Sequence, residues 1–327
     1  MNVLEVTNLS VEFATENGSI IAVKDVSFEL KRGEILALVG ESGCGKSTVA
    51  MSIPRLLGDS QVKMGGSIGL DGVDLASLSE KEMQAVRGKD ISVVFQEPMT
   101  SLNPAYKVGN QIAEVLRRHE DMSRQEALDR AAELLTLVGI PDAKRRLSAF
   151  PHELSGGMRQ RVMIAIAVAC NPRVIIADEP TTALDVTIQA GVLDIFRRLR
   201  DTLGTAIVLI THDLGVVADI ADGVAVMYAG RVVEQCSAQE IFANPAHPYT
   251  RGLLGALPSR ALQQGGRRRL ADIAGVVPPP TSDPDECQFA PRCPRATAQC
   301  TISRPPLDPF SDEHLVACYY PGEGVLL

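Results

Sequence analysis

Short runs of consecutive apolar, largely β-branched residues recur along this chain, each bounded by glycine or polar and charged residues. They are "EILALVG" (34–40), "DISVVF" (90–95), "RVIIADE" (173–179), "TAIVLIT" (205–211) and "GVAVMYAG" (223–230). A strand apolar on both faces must be covered on both faces, as in a parallel sheet flanked by helices. Helical spacing of apolar positions follows several of these runs, so the chain predicts an α/β domain with a largely parallel sheet. The beginning differs. "LEVTNLSVEF" and "IIAVKDVSFEL" alternate apolar and polar positions, the pattern of a half-exposed antiparallel sheet.

Between Pro98 and Phe150 no strand pattern occurs. "NQIAEVLRRH" and "RQEALDRAAELLTLVGI" carry helical spacing instead, which predicts a helical subdomain over about 97–160. After Leu257 the texture changes. Residues 258–286 are rich in Pro, Gly, Arg and Ser, and "VVPPPTSDPDE" excludes a helix or a central strand. The expected organisation is a main domain over 1–257, a linker over 258–286 and a small cysteine-bearing extension over 287–327.

Composition narrows the setting. With 327 residues, 45% hydrophobic and 22% charged, the chain reads as soluble and globular with room for a large core. Its net charge of −8, without a long basic run, argues against nucleic acid as a partner. The densest basic cluster, Arg267 to Arg269, reads as a solvated loop. "MNVLEVTNLSVEF" lacks a basic start followed by an apolar run, so no signal peptide is expected. The longest apolar run, "VMIAIAVAC" (162–170), falls well short of the roughly 20 residues of a spanning helix. A protein that sits against a membrane without crossing it, in the reducing cytosol, is the expectation. There, disulfides explain cysteines poorly, and metal binding or catalysis explains them better.

"GESGCGKST", Gly40 to Thr48, is G-x-x-x-x-G-K-[ST] placed after a predicted strand and before a predicted helix. Gly40, Gly43 and Gly45 permit a loop whose backbone N–H groups, with those of Ser42, Cys44 and Thr48, turn inward as an anion nest. The helix N-terminus adds about half a positive charge. Lys46 is suited to the β- and γ-phosphates of a nucleotide, and the Ser47 hydroxyl to Mg²⁺. Cys44 fills a variable position and is read as passive. In "VIIADEP" a buried strand delivers Asp178 and Glu179 at its C-terminal edge, where open α/β sheets bind ligands. Asp178 suits Mg²⁺ through its water shell, and Glu179 suits polarisation of an attacking water. "LSGGMRQR" (154–161) supplies Ser155 as an N-cap and Gly156 and Gly157 for close backbone approach.

With these motifs the chain resembles the ATP-binding subunits of ABC transporters, whose signature is LSGGQ; Met158 stands where the family has Gln. The resemblance implies a P-loop ABC-type ATPase core with an antiparallel β subdomain and a helical subdomain, covering residues 1 to about 257. It implies that Ser155, Gly156 and Gly157 contact the γ-phosphate of ATP held by a second ATPase subunit, so that two nucleotide domains sandwich two ATP molecules. Gln96 matches the glutamine that senses Mg²⁺ and couples to the membrane subunits. "TALD" (182–185) matches the loop between the two ATP sites, His212 in "LITHD" the switch histidine that contacts the γ-phosphate, and Phe13 the aromatic that stacks on adenine, with Phe28 a nearby competitor. Chromosome and repair ATPases separate the phosphate loop from the signature by a long coiled coil, for which the interval from Gly40 to Ser155 is too short. Translation-associated members carry two such domains per chain, and this chain has one.

"FQEPMTSLNP" (95–104), "NPAHPYT" (244–250) and "AGVVPPP" (274–280), followed by the cysteines, resemble the oligopeptide/dipeptide importers and, most closely, their D-type dipeptide permease ATPases. The implied function is ATP-driven uptake of dipeptides or oligopeptides, with import of another small solute such as a nickel chelate or glutathione as the alternative. The implied partners are two membrane permease subunits, an F-type paralogue as the second ATPase, and an external substrate-binding protein, at the cytoplasmic face of the inner (plasma) membrane.

Cys287, Cys293, Cys300 and Cys318 are spaced by five, six and seventeen residues. Structural zinc sites usually begin with two cysteines 2–4 residues apart, and no such pair exists here. Spacing alone leaves zinc and an iron–sulfur cluster both open. The resemblance implies a [4Fe–4S] cluster, because some dipeptide-permease ATPases carry one in this extension. So short and Pro-rich a tail has little core of its own, and a metal centre would tie it down.

Overall fold

The computed structural model describes residues 1–16, 18–58, 61–182, 185–256, 273–278 and 285–322. The chain divides into two compact units. One comprises Met1–Leu4, Leu30–Ile35 and Gly69–Ile210, and the other Glu5–Glu29, Leu36–Ile68 and Thr211–Leu327. The linker expected over 258–286 lies mostly outside the described residues.

In the first unit three of the apolar runs form parallel strands, Ile91–Val94, Val174–Asp178 and Ala206–Thr211. Val94 stands opposite Ala177, and Asp178 opposite Ile210. Val174–Asp178 is buried at every position, which is why its sequence carries no polar residue before the last. The predicted helical stretch contains Val108–His119 and Arg124–Leu137, packed on each other, and ends in Gly156–Ala167. Arg124–Leu137 starts with a reciprocal cap: the Ser123 hydroxyl accepts from Glu126 N–H while the Glu126 carboxylate accepts from Ser123 N–H. The long helix Val186–Leu203 begins on Asp185, whose carboxylate accepts from Ile188 N–H, and stops at Gly204 in the left-handed region.

In the second unit Ile35–Val39 pairs in parallel with Gly223–Tyr228. The sheet continues antiparallel through Arg231–Ser237, His314–Val316 and Asp308–Ser311. The alternating N-terminal segments are the neighbouring strands Asn2–Thr15 and Gly18–Lys31, with Val62–Leu70 beyond them.

The tail, expected to have little core of its own, packs on the core of the unit that contains it. His314–Val316 extends the main sheet as a strand, and Ala317 N–H donates to Val233 O. Phe289, 2% exposed, packs edge-on against Tyr228 with centroids 5.2 Å apart and beside Tyr249 at 5.5 Å. Burial of such a ring contributes about 1.5–3 kcal/mol. The tail borrows the core of the domain it lies on, a possibility that composition of the tail alone does not reveal.

Glu234, fully buried in the strand Arg231–Ser237, ties these parts together. Its carboxylate accepts from Ala246 N–H at 2.6 Å and His247 N–H at 3.0 Å, and lies 2.8 Å from His314 Nε2. Burial pushes the carboxyl up, but the bonds from His314 and the two backbone N–H groups outweigh it and hold its pKa below the ordinary 4.5. A depressed carboxylate pKa stabilises the fold above the unfolded value, and that contribution disappears as pH falls through the folded value, below 4.5. Glu234→Ala leaves these donors buried without an acceptor and is expected to cost about 3 kcal/mol. Urea unfolding at neutral pH measures the loss, and limited proteolysis should show the tail released first.

Candidate nucleotide site

The phosphate loop runs from the strand Ile35–Val39 into the helix Lys46–Ser52. Gly45 is its N-cap, at φ 100°, and a Cβ there would stand 2.5 Å from Ala22 O, so the position admits only glycine. Lys46 is 5% exposed, and its Nζ donates to Gly40 O at 2.8 Å and Glu41 O at 3.0 Å. The loop's own carbonyls thus hold the ammonium against the nest. Ser42, Gly43 and Ser47 are exposed on the loop, and Thr48 is half-buried.

Cys44 is fully buried, 3.7 Å from Lys46 Nζ, and burial raises its thiol pKa despite that cation. Its side chain is buried, so it can offer a ligand only its backbone. In the N-terminal strands Phe13 is half-buried and Phe28 is 2% exposed. Phe28 is core, whereas Phe13 keeps part of its surface exposed.

In the first unit the structure brings together two residues that the sequence presents separately. Asp178 ends its strand 7% exposed. Glu179 follows at φ 45°, with its N–H donating to Ile210 O. Glu179 Oε2 accepts from Gln96 Nε2 at 3.1 Å and from Thr182 Oγ1 at 2.8 Å. Thr182 was legible only as the start of "TALD". Its place three residues after Glu179, across a turn in which its N–H donates to Glu179 O, is the local signal that could have assigned it. Ala183 and Leu184 of that motif lie outside the described residues. His212 is exposed just after the strand Ala206–Thr211.

Ser155 caps the helix Gly156–Ala167 by accepting from Met158 N–H at 3.4 Å. Ser155 and Gly156 are exposed, while Gly157 is buried with a would-be Cβ 2.8 Å from Ile188 Cγ2. The two glycines therefore differ in role: Gly156 opens a surface, and Gly157 lets Ile188 approach.

"NPAHPYT" becomes the cap and first turn of the helix Pro248–Gly255. His247 Nδ1 accepts from Tyr249 N–H, and burial lowers its pKa to about 4, which keeps it neutral and able to accept. The Tyr249 hydroxyl in turn accepts from Glu41 N–H of the phosphate loop at 2.9 Å.

Cys287, Cys293, Cys300 and Cys318 are free thiols that all line one cavity of about 20 Å³ with Phe289, Tyr319 and Tyr320. Burial raises the thiol pKa of Cys287 and Cys293, and that of Cys318 to about 11. Among the described residues no group of three His, Cys, Asp or Glu side chains is placed to hold a metal ion. No described helix is long and apolar enough to cross a membrane.

Comparison with known proteins agrees with this geometry. Residues 23–182 match the ABC transporter family model, and residues 233–300 match that of the oligopeptide/dipeptide transporter C-terminal region. A probable peptide ABC transporter ATP-binding protein of Sinorhizobium fredii is 50% identical, over 99% of this chain and 96% of its own length. The oligopeptide transport ATP-binding protein OppD of Bacillus subtilis is 51% identical over 96% of this chain and 87% of its own. The dipeptide transport ATP-binding protein DppD of the same organism is 49% identical over 97% and 94%. Among solved structures, the dimeric ATP-binding cassette MJ0796 in a post-hydrolysis state with ADP and Pi superposes with a TM-score of 0.65 at 29% identity, over 72% of this chain and 98% of that one. On these grounds the chain belongs to the ABC transporter family, among the ATP-binding proteins that end in the oligopeptide/dipeptide transporter C-terminal region.

Proposed function

We propose that this chain is the ATP-hydrolysing subunit of an importer for dipeptides or oligopeptides, peripheral at the cytoplasmic face of the plasma membrane. Its partners in this reading are two membrane permease subunits, a second ATPase of the F type and an external substrate-binding protein. The observation that carries the reading is the joint presence of an intact phosphate loop, a Glu179 carboxylate held by Gln96 and Thr182, and the HPYT segment fixed to that loop through Tyr249. About half identity along nearly the whole length of peptide-transport ATP-binding proteins supports the substrate class.

In this mechanism ATP phosphates take the nest of residues 40–48, and Lys46 exchanges the carbonyls of Gly40 and Glu41 for β- and γ-phosphate oxygens. Ser47, Asp178 and Gln96 are the residues that would hold Mg²⁺, which supplies charge neutralisation of the phosphates. Glu179 orients the attacking water and accepts its proton, with Gln96 and Thr182 fixing the carboxylate. His212 contacts the γ-phosphate, and Phe13 stacks on adenine. Ser155, Gly156 and Gly157 serve the ATP bound by the partner ATPase. Reconstitution with candidate permeases, partner ATPase and binding protein tests the reading: di- or oligopeptide should stimulate ATP hydrolysis. Stimulation by another solute but by no peptide would refute it.

The same reading gives the four tail cysteines a [4Fe–4S] cluster, with zinc as the alternative. Their convergence on one cavity supports a shared ligand, and the donor set suits either metal centre. Cys287, Cys293, Cys300 and Cys318 would hold the metal centre, which would supply a cross-link that ties down the tail. As placed, no three of these side chains hold an ion, so holding one would require the four thiols to move closer together. Protein purified without oxygen should be brown, with iron and acid-labile sulfide, and Cys293→Ser should bleach it. Colourless protein with one tightly bound zinc would overturn the cluster, and four freely titrating thiols without metal would end the metal reading.

A further inference from the structure

Glu41 of the phosphate loop is gripped at each of its polar groups. Its N–H donates to the Tyr249 hydroxyl, and its carbonyl accepts from Lys46 Nζ. Its carboxylate meets the guanidinium of Arg292 in a two-pronged pair, Nη1 to Oε2 at 2.6 Å and Nη2 to Oε1 at 3.0 Å. Arg292 belongs to the cysteine-bearing tail, in the turn Ala290–Arg292 between Cys287 and Cys293. Exposed ion pairs contribute little to stability. This one differs, because the Arg292 side chain is only 4% exposed and its remaining donors are also placed. Nε donates to Ala274 O, Nη2 to Ile273 O and Nη1 to the Tyr228 hydroxyl, with the guanidinium 5.8 Å from the Tyr228 ring centroid. A planar fork satisfied on all sides fixes direction as well as charge, which a lysine cannot reproduce.

We infer that Arg292 is a positioning residue for ATP binding, acting through Glu41 to hold the phosphate loop and its lysine in register. The tail is then a working part of the nucleotide site, 251 residues away in sequence from the loop that it braces. The fork fixes the Glu41 side chain, Tyr249 fixes its N–H, and the carbonyl between them and Lys46 is left with one orientation. Loss of the fork frees that peptide to rotate and lets Lys46 follow it. The cost falls on ATP affinity, because ordering of the loop then has to accompany binding.

This inference rests on the phosphate loop's binding ATP, and titration of the wild-type full chain with a fluorescent ATP analogue checks that first. Wild type without affinity would refute the nucleotide reading and this inference with it. Given wild-type binding, Arg292→Ala and Arg292→Lys should each raise Kd about tenfold, as loss of one charge-assisted pair does. In a Glu41→Ala background the further change on Arg292→Ala should stay within about twofold, since the two residues act as one unit. A merely structural Arg292 would lower Tm in both backgrounds and give equal losses of affinity in each, which would overturn the inference. So would an unchanged Kd in a folded Arg292→Ala chain. If that chain does not fold, Glu41→Ala alone decides: a rise of about tenfold supports the link, and an unchanged Kd ends it.

Discussion

Glu179→Gln is expected to retain ATP binding and to slow hydrolysis about 10²–10⁴-fold, the range that general-base catalysis supplies. The structure makes this substitution unusually clean. One carboxylate oxygen, Oε2, accepts from both Gln96 Nε2 and Thr182 Oγ1. A glutamine can place its carbonyl oxygen there and keep both bonds, so shape and neighbours persist while charge and basicity go. Glu179→Ala, in contrast, releases Gln96 and Thr182 and confounds chemistry with loop order. The glutamine variant should therefore accumulate, with its partner ATPase, as an ATP-bound assembly. Single-turnover hydrolysis measures the chemical step separately from nucleotide exchange. Turnover within about threefold of wild type would remove Glu179 from the base role assigned to it.

The five apolar runs were legible as strands because a strand covered on both faces must be apolar throughout, and because each run is short, largely β-branched and bounded by turn or charged residues. Arg231–Ser237 escaped the same reading because a charged residue, Glu234, stands buried at its centre. That charge is stabilised there by His314, Ala246 and His247, partners 12 to 80 residues away that no local pattern reveals. Val62–Leu70 escaped for the opposite reason: its first six residues are exposed or half-exposed, and Gly65 and Gly66 interrupt them. Within the site, Lys46, Asp178 and Glu179 were legible because their chemistry is written in contiguous motifs. Gln96 beside Glu179, and Tyr249 and Arg292 on Glu41, were not, since those contacts span 83, 208 and 251 residues. "HPYT" is the cap and first turn of a helix. Its further task, presenting Tyr249 to the phosphate loop, depends on how the fold returns that helix to the loop.

Gly156→Asp is expected to abolish hydrolysis of the ATP held by the partner ATPase while sparing ATP held by this chain's own phosphate loop. Sequence alone singles out Gly157 equally well, but the structure separates the two. An added Cβ at Gly157 would stand 2.8 and 2.9 Å from Ile188 side-chain atoms, so any residue there overpacks its own domain at about 1–3 kcal/mol. At Gly156 an added Cβ meets nothing within 4 Å. Gly156 is also the first residue of its helix, with no acidic residue in the first turn, so an aspartate there favours the helix by about 0.3–1 kcal/mol. The same carboxylate, placed about 4 Å from a γ-phosphate, is repelled by about 4 kcal/mol at an effective dielectric of 20, or roughly three powers of ten in closure. The variant should thus melt no lower than wild type while failing to close on the partner's ATP. Gly156→Asn, of the same size without charge, should be affected far less. The decisive arrangement pairs Gly156→Asp with a partner whose own phosphate-loop lysine is replaced. If the signature acts across the interface, the remaining ATP, held here by Lys46 and completed by the partner's intact signature, still turns over. Complete loss in that pairing, with hydrolysis preserved when wild type replaces the variant, would mean that this helix serves the ATP of its own chain.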